Sequence, residues 1–200
     1  EEIETLKKEL DLGKLLKGDS FIYQNINIQQ IQNSLTDDQI IIYYLNYPNN
    51  LYFGAITKDK TKFLYKYFKE TKIDNLVKQI RKSINFDAGS PSKFDFKSSE
   101  ELYVELIKPF EEYIKDKKDL IIVPHGALLS LPFEILVDEI PENKKFNNNW
   151  LIKNHNIIYY PSISSFYSMK NLKKVKLKKY FAGFGDPSLS KNNKTLVFEK

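Results

Sequence analysis

Apolar residues recur along the chain with three different rhythms. Ile3, Leu6 and Leu10 stand at helical spacing before Gly13, which predicts a short amphipathic helix over 1–20, the close of a preceding helical repeat region. Ile28, Ile31 and Leu35 predict a second short helix, started by Asn27 and ended at Thr36-Asp37-Asp38. The rhythm then changes to that of strands. Residues 40–46, 51–57 and 61–68 are rich in Ile, Tyr and Phe and are separated by Pro48-Asn49-Asn50 and Lys58-Asp59-Lys60. With Leu51, Phe53 and Ala55 alternating against polar or small neighbours, the three runs predict an antiparallel meander.

The helical period returns in Ile73, Leu76, Val77, Ile80 and Ile84, which share one face. Residues 86–98, with Gly89, Ser90, Pro91 and Ser92, carry no such period and predict a loop. Ser98 and Glu101 form a candidate capping box for a helix through Leu102, Leu106, Ile107, Phe110, Tyr113 and Ile114, kinked at Pro109 and closed by Lys117 and Lys118.

A third rhythm follows, of short unbroken apolar runs at 120–123, 157–160 and 180–184, which predict neighbouring strands buried on both faces. Between them lie candidate crossover helices at 131–137 and at 162–172, the latter capped by Ser162 and carrying Phe166, Met169 and Leu172. Strand–helix–strand alternation implies an α/β fold with a mainly parallel sheet flanked by helices and an antiparallel meander near the amino terminus. The strand at 180–184 has no following pattern to cover it, so the expectation is an incomplete domain. Asn147-Asn148-Asn149 and the lysine cluster at 173–179 read as surface loops.

Composition narrows the chemistry. The 200 residues contain no cysteine, which excludes disulfides, thiolate metal sites and a cysteine nucleophile within them. The net charge is +5, but residues 170–200 hold nine lysines against Asp186 and Glu199, leaving the rest at −2. This local excess is all lysine, and Arg81 is the sole arginine of the chain, so direct nucleic-acid contact is not expected. No apolar run approaches a membrane span and no basic leader precedes one; the expectation is no membrane and a cytoplasmic location.

Candidate site residues are few. Ser130 with His125 could suggest a serine hydrolase, but no Gly-x-Ser-x-Gly elbow surrounds any serine. His125 and His155 lack a ligand-spaced partner, so no metal and no other cofactor is expected. Gly183-Phe184-Gly185 opens like a dinucleotide loop, but Ser188 takes the third glycine position. Asp186 follows a candidate central strand, where open α/β sheets place ligand-contacting loops, and is the one substrate-pocket candidate; its plainer reading is a turn-forming Asp-Pro pair.

Four segments in order carry a resemblance: Leu102-Tyr103 through Leu106-Ile107-Lys108-Pro109-Phe110; Leu120-Ile121-Ile122-Val123-Pro124-His125-Gly126-Ala127-Leu128-Leu129-Ser130-Leu131-Pro132-Phe133-Glu134-Ile135-Leu136; Trp150-Leu151-Ile152 through Ile157-Ile158-Tyr159-Tyr160-Pro161-Ser162; and Ala182-Gly183-Phe184-Gly185-Asp186-Pro187-Ser188. Over roughly 30–190 the chain resembles the CHAT family, caspase-like cysteine peptidase domains usually found behind tetratricopeptide-type helical repeats in bacteria. The resemblance implies that 21–200 is the amino-terminal, non-catalytic part of such a domain. It implies no catalytic residue within the chain, because the family's catalytic histidine and cysteine lie beyond the equivalent of Gly185-Asp186-Pro187, in His-Gly and Ser-Ala-Cys contexts. His125-Gly126 is not that His-Gly, since it precedes Leu131-Pro132-Phe133, where the family commonly carries an aspartate.

The resemblance therefore implies the scaffold half of a cysteine endopeptidase, a signalling hydrolase whose partners would be tetratricopeptide-type repeats, in the same or another chain, and a protein substrate. The alternative is a catalytically inactive caspase-like scaffold for protein–protein interaction and signalling.

Overall fold

Asn27 caps the first described helix reciprocally: its Oδ1 accepts from Gln30 N at 2.9 Å while Gln30 Oε1 accepts from Asn27 N at 3.0 Å. In this computed structural model the described residues are 26–84, 94–140 and 150–171. Helix α1 (Ile28–Asn33) leads into three strands, β1 (Gln39–Tyr47), β2 (Asn50–Ile56) and β3 (Thr61–Tyr67), which form the expected antiparallel meander.

Helix α2 (Lys72–Ser83) presents the stripe Ile73, Leu76, Val77 and Ile80 to the interior, as its period dictates. Helix α3 (Phe96–Leu106) starts one turn earlier than the Ser98–Glu101 box would place it. Its cap is Asp95, which accepts from Ser98 N at 3.1 Å, and Ser98 instead hydrogen-bonds Gln79 across to α2. Pro109 ends α3 rather than bending it, giving a 3-10 turn over Lys108–Phe110 and then a single turn, α4 (Glu111–Ile114).

Strand β4 (Asp119–Val123) lies parallel to β1, and β5 (Asn156–Tyr159) lies parallel to β4. The five-stranded order is β3-β2-β1-β4-β5. Among the described residues the sheet is thus mixed and not mainly parallel, with two antiparallel and two parallel pairings, because the meander joins the parallel strands in one sheet through β1. Gln39, Asp119 and Asn156 stand in one row across β1, β4 and β5. There the Asp119 carboxylate accepts from Asn156 Nδ2 at 2.9 Å and from Gln39 Nε2 at 3.2 Å, and these bonds hold its pKa below the ordinary carboxylate value.

The expected crossover helix at 131–137 is absent. That stretch holds a single 3-10 turn, Phe133–Ile135, following an earlier one at Gly126–Ser130; Pro132 pushes Leu131 into extended backbone, and Leu136 is extended as well, so no longer helix forms. Leu128, Leu131, Phe133 and Leu136 still fold back onto the sheet and join its core. After a short helix α5 (Leu151–Asn154) the chain enters β5, and then α6 (Ile163–Asn171), capped by Ser162 Oγ on Ser165 N at 3.0 Å.

Two apolar layers result. On one face β1, β2 and β4 bury Ile40, Ile42, Tyr44, Phe53, Leu120 and Ile122 against α2, α3 and the 3-10 turns. Tyr44, 1% exposed, donates its hydroxyl to Leu106 O at 2.9 Å and so ties the end of α3 to the central strand. On the other face Ile41, Ile56, Ile121 and Val123 meet Ile31 and Leu35 beside α1 and Phe166 of α6. Each such aliphatic side chain contributes roughly 1.5–3 kcal/mol by its burial. Helices on both faces of the sheet make the fold α/β.

Strand β5 departs from the expectation of burial on both faces. Ile157 and Ile158 are half-buried and Tyr159 is 40% exposed, because β5 has β4 as its only partner among the described residues. No helix among the described residues is long and apolar enough to cross a membrane. The helix read over 1–20, the loops at 147–149 and 173–179 and the strand at 180–184 lie outside the described residues.

Candidate functional site

The carboxyl ends of β1, β4 and β5 point to one edge of the sheet, the edge where parallel α/β folds gather ligand-contacting loops. Strand β4 leaves it through Pro124-His125-Gly126, and β1 supplies Asn46 and Tyr47.

Gly126 adopts φ +62° and passes so near β1 that a Cβ on it would stand 2.7 Å from Asn46 O. A glycine is required there both by the backbone angle and by the space. The turn also aims His125: its Nδ1 lies 3.1 Å from Asn46 O and its ring packs 5.4 Å from that of Tyr47. Asn46, buried at 6% exposure, donates from Nδ2 to Asp74 Oδ1 at 2.8 Å, linking β1 to the first turn of α2. The histidine, the asparagine and the aspartate therefore form a chain of contacts that holds three elements together.

Beyond this chain lies an open cleft of about 460 Å³ lined by Arg81, Leu129, Ser130, Leu131, Pro132, Glu134 and Tyr159. It adjoins a second of about 480 Å³ between α2 and the first 3-10 turn, and Arg81 and Ser130 belong to both walls. Tyr159 crosses from β5 to the second 3-10 turn, donating to Glu134 Oε2 at 2.8 Å and accepting from Phe133 N at 2.9 Å. Burial, reinforced by the hydrogen bond to Glu134, raises the phenol's pKa far above its ordinary value, so the hydroxyl stays protonated.

The cleft's wall presents Arg81 as its cationic side chain and Leu129, 69% exposed, as its apolar one. It does not assemble an activated nucleophile. Ser130 Oγ donates within its own turn to Ala127 O at 2.9 Å, while His125 is turned to Asn46, so the two are engaged separately. His155 sits between α5 and β5 with Nδ1 2.7 Å from Lys117 O, a strand-flanking contact. No group of three metal-ligating side chains forms among the described residues. Asp186, the substrate-pocket candidate, lies outside the described residues.

Sequence reasoning missed Asn46, Asp74, Arg81 and Tyr159 as members of this edge. Asn46 carried a signal, being the lone amide between the apolar and aromatic residues of β1. The others became neighbours only through tertiary pairing.

The family model described as CHAT domain matches residues 97–200, from the first turn of α3 onward. No curated protein matches the chain. The matched part does not stand alone in the fold, since one of the two hydrogen-bonded neighbours of β4, strand β1, lies outside the match.

Proposed function

Since the chain belongs to the CHAT domain family, a caspase-like peptidase family, we propose that it forms the scaffold half of a caspase-like cysteine endopeptidase. Its role is to support a catalytic half and couple it to a sensor or helical-repeat region. The observation that carries this reading is the family match together with the β1–β4–β5 parallel core, whose carboxyl edge is filled by packing and hydrogen-bonding groups. On this reading the domain includes the meander from residue 21 onward, Asp186 belongs to the substrate pocket, and the cleavage chemistry uses a histidine and a cysteine outside these residues.

The test is peptide cleavage by the gene's complete product, with and without a thiol-alkylating reagent. The reading predicts alkylation-sensitive cleavage that is lost when Ile122→Asp breaks the β4 core, although no catalytic group is touched. Cleavage that survives loss of this sheet would refute the scaffold role. A second reading is an inactive caspase-like scaffold for protein interaction and signalling, consistent with the absence of cysteine from these 200 residues; it predicts a folded complete product that cleaves nothing.

A further inference from the structure

The chain carries 31 basic side chains, and a single arginine stands among them. Lysines do the work of holding the fold: Lys58 pairs with Asp37, Lys62 donates to Pro109 O, and Lys66 and Lys72 hold Glu105. Arg81 does none of this. It stands exposed in the last turn of α2, and its guanidinium makes no hydrogen bond or ion pair among the described residues. Arginine differs from lysine in offering a planar fork that takes a carboxylate through two parallel bonds. The one side chain of the sequence with that geometry is left unused by the fold.

Its position is the second observation. Arg81 borders both clefts at the carboxyl edge, of about 460 and 480 Å³, sizes that take a few side chains each. Lys78, one turn earlier on α2, lines the second cleft and is likewise exposed and without a side-chain partner among the described residues. The two acids in the walls are engaged elsewhere, Asp74 by Asn46 Nδ2 at 2.8 Å and Glu134 by the Tyr159 hydroxyl at 2.8 Å, and neither forms an ion pair with Arg81. The remaining walls are largely apolar, with Val77, Leu129, Leu131 and Pro132.

We propose that these adjoining clefts dock an acidic segment of a partner protein, with an Asp or Glu carboxylate on the Arg81 fork, Lys78 adding positive charge, and the apolar neighbours of that acid against Leu129 and Pro132. Charge complementarity together with the apolar walls selects this occupant. A nucleic-acid strand matches the surface less well. Its evenly spaced phosphates would run past Asp74 and Glu134, and residues 1–169 hold 22 basic against 24 acidic side chains, a net −2. The docking site is independent of whether the complete product cleaves, since none of its groups performs chemistry.

The test is titration of a short fluorescent peptide, in which Asp and Glu alternate with Leu, with the full chain, read by anisotropy beside the Asn/Gln counterpart and a single-stranded oligonucleotide. The acidic peptide is expected to bind and the amide counterpart to fail. Arg81→Ala, which leaves the core untouched, is expected to weaken binding about tenfold, and Arg81→Lys, which keeps the charge and loses the fork, to recover only a small part of it. A variant with Lys173, Lys174, Lys176, Lys178 and Lys179 changed to alanine is expected to bind as the native chain does. Equal affinity in the native chain and Arg81→Ala, or binding lost in the lysine-cluster variant instead, would overturn the proposal. So would an oligonucleotide that binds more tightly than the peptide and loses its hold in Arg81→Ala, which would assign the clefts to nucleic acid.

Discussion

The α-carbon of Gly126 and the carbonyl of Asn46 approach so closely that no side chain fits between them: a Cβ on the glycine would stand 2.7 Å from the oxygen. That contact fixes where β4 leaves the sheet, and hence the direction of His125 and the 3-10 turns behind it. Gly126→Ala combines left-handed backbone strain of about 1–3 kcal/mol with a backbone clash that must be relieved by moving β1 or the turn. Urea unfolding should show a loss of roughly 2 kcal/mol or more. Gly126→Ala at native stability would mean the turn is not held as described.

Tyr159 joins the edge of the described sheet to the turn at Phe133-Glu134. Tyr159→Phe removes a hydroxyl with two partners and should cost about 1–2 kcal/mol. Its pKa is raised in the fold, so its contribution is complete below the unfolded value near 10 and is lost as pH climbs toward the folded value. Tyr103, pushed up to about 12 by burial and by the charges of Glu111 and Asp138, acts in the same sense. Stability should therefore decline above about pH 10, and less steeply in Tyr159→Phe, as measured by denaturant midpoints across an alkaline series.

Glu105 anchors α3 to β3 and α2 through Lys66 and Lys72, each at 2.8 Å. Burial works upward on its pKa, but the hydrogen bonds and charges of the two lysines outweigh it and leave the carboxyl below its ordinary value. A depressed pKa contributes stability that is present above the unfolded value, near 4.3, and is lost as pH falls through the folded one. Glu105→Gln should cost about 1–2 kcal/mol at neutral pH and flatten the acid limb of the stability profile. An unchanged acid limb would show that the pair contributes nothing to linkage.

What the sequence revealed and what it hid divide along physical lines. Where one face of an element is apolar, as in Ile73–Leu76–Val77–Ile80 or Leu51–Phe53–Ala55, periodicity alone fixes its type and buried side. Capping chemistry was legible at Asn27 and Ser162, but competing polar residues near α3 left Asp95 and Ser98 ambiguous, and tertiary contact with Gln79 decided between them. The segment 131–137 is apolar enough for a short helix, but extended backbone at Leu131, Pro132 and Leu136 limits it to one 3-10 turn, which strand–helix–strand alternation does not foretell. The parallel pairing of β1 with β4 joins residues about 80 positions apart, so the candidate edge built on it could not be read from local pattern.

On the proposed function these residues supply architecture and not cleavage chemistry. The most direct test is to incubate the purified 200-residue chain, beside its His125→Ala variant, with a mixed peptide library and to follow new amino termini by mass spectrometry. The account predicts no turnover by either protein; cleavage by the native chain that His125→Ala abolishes would contradict it.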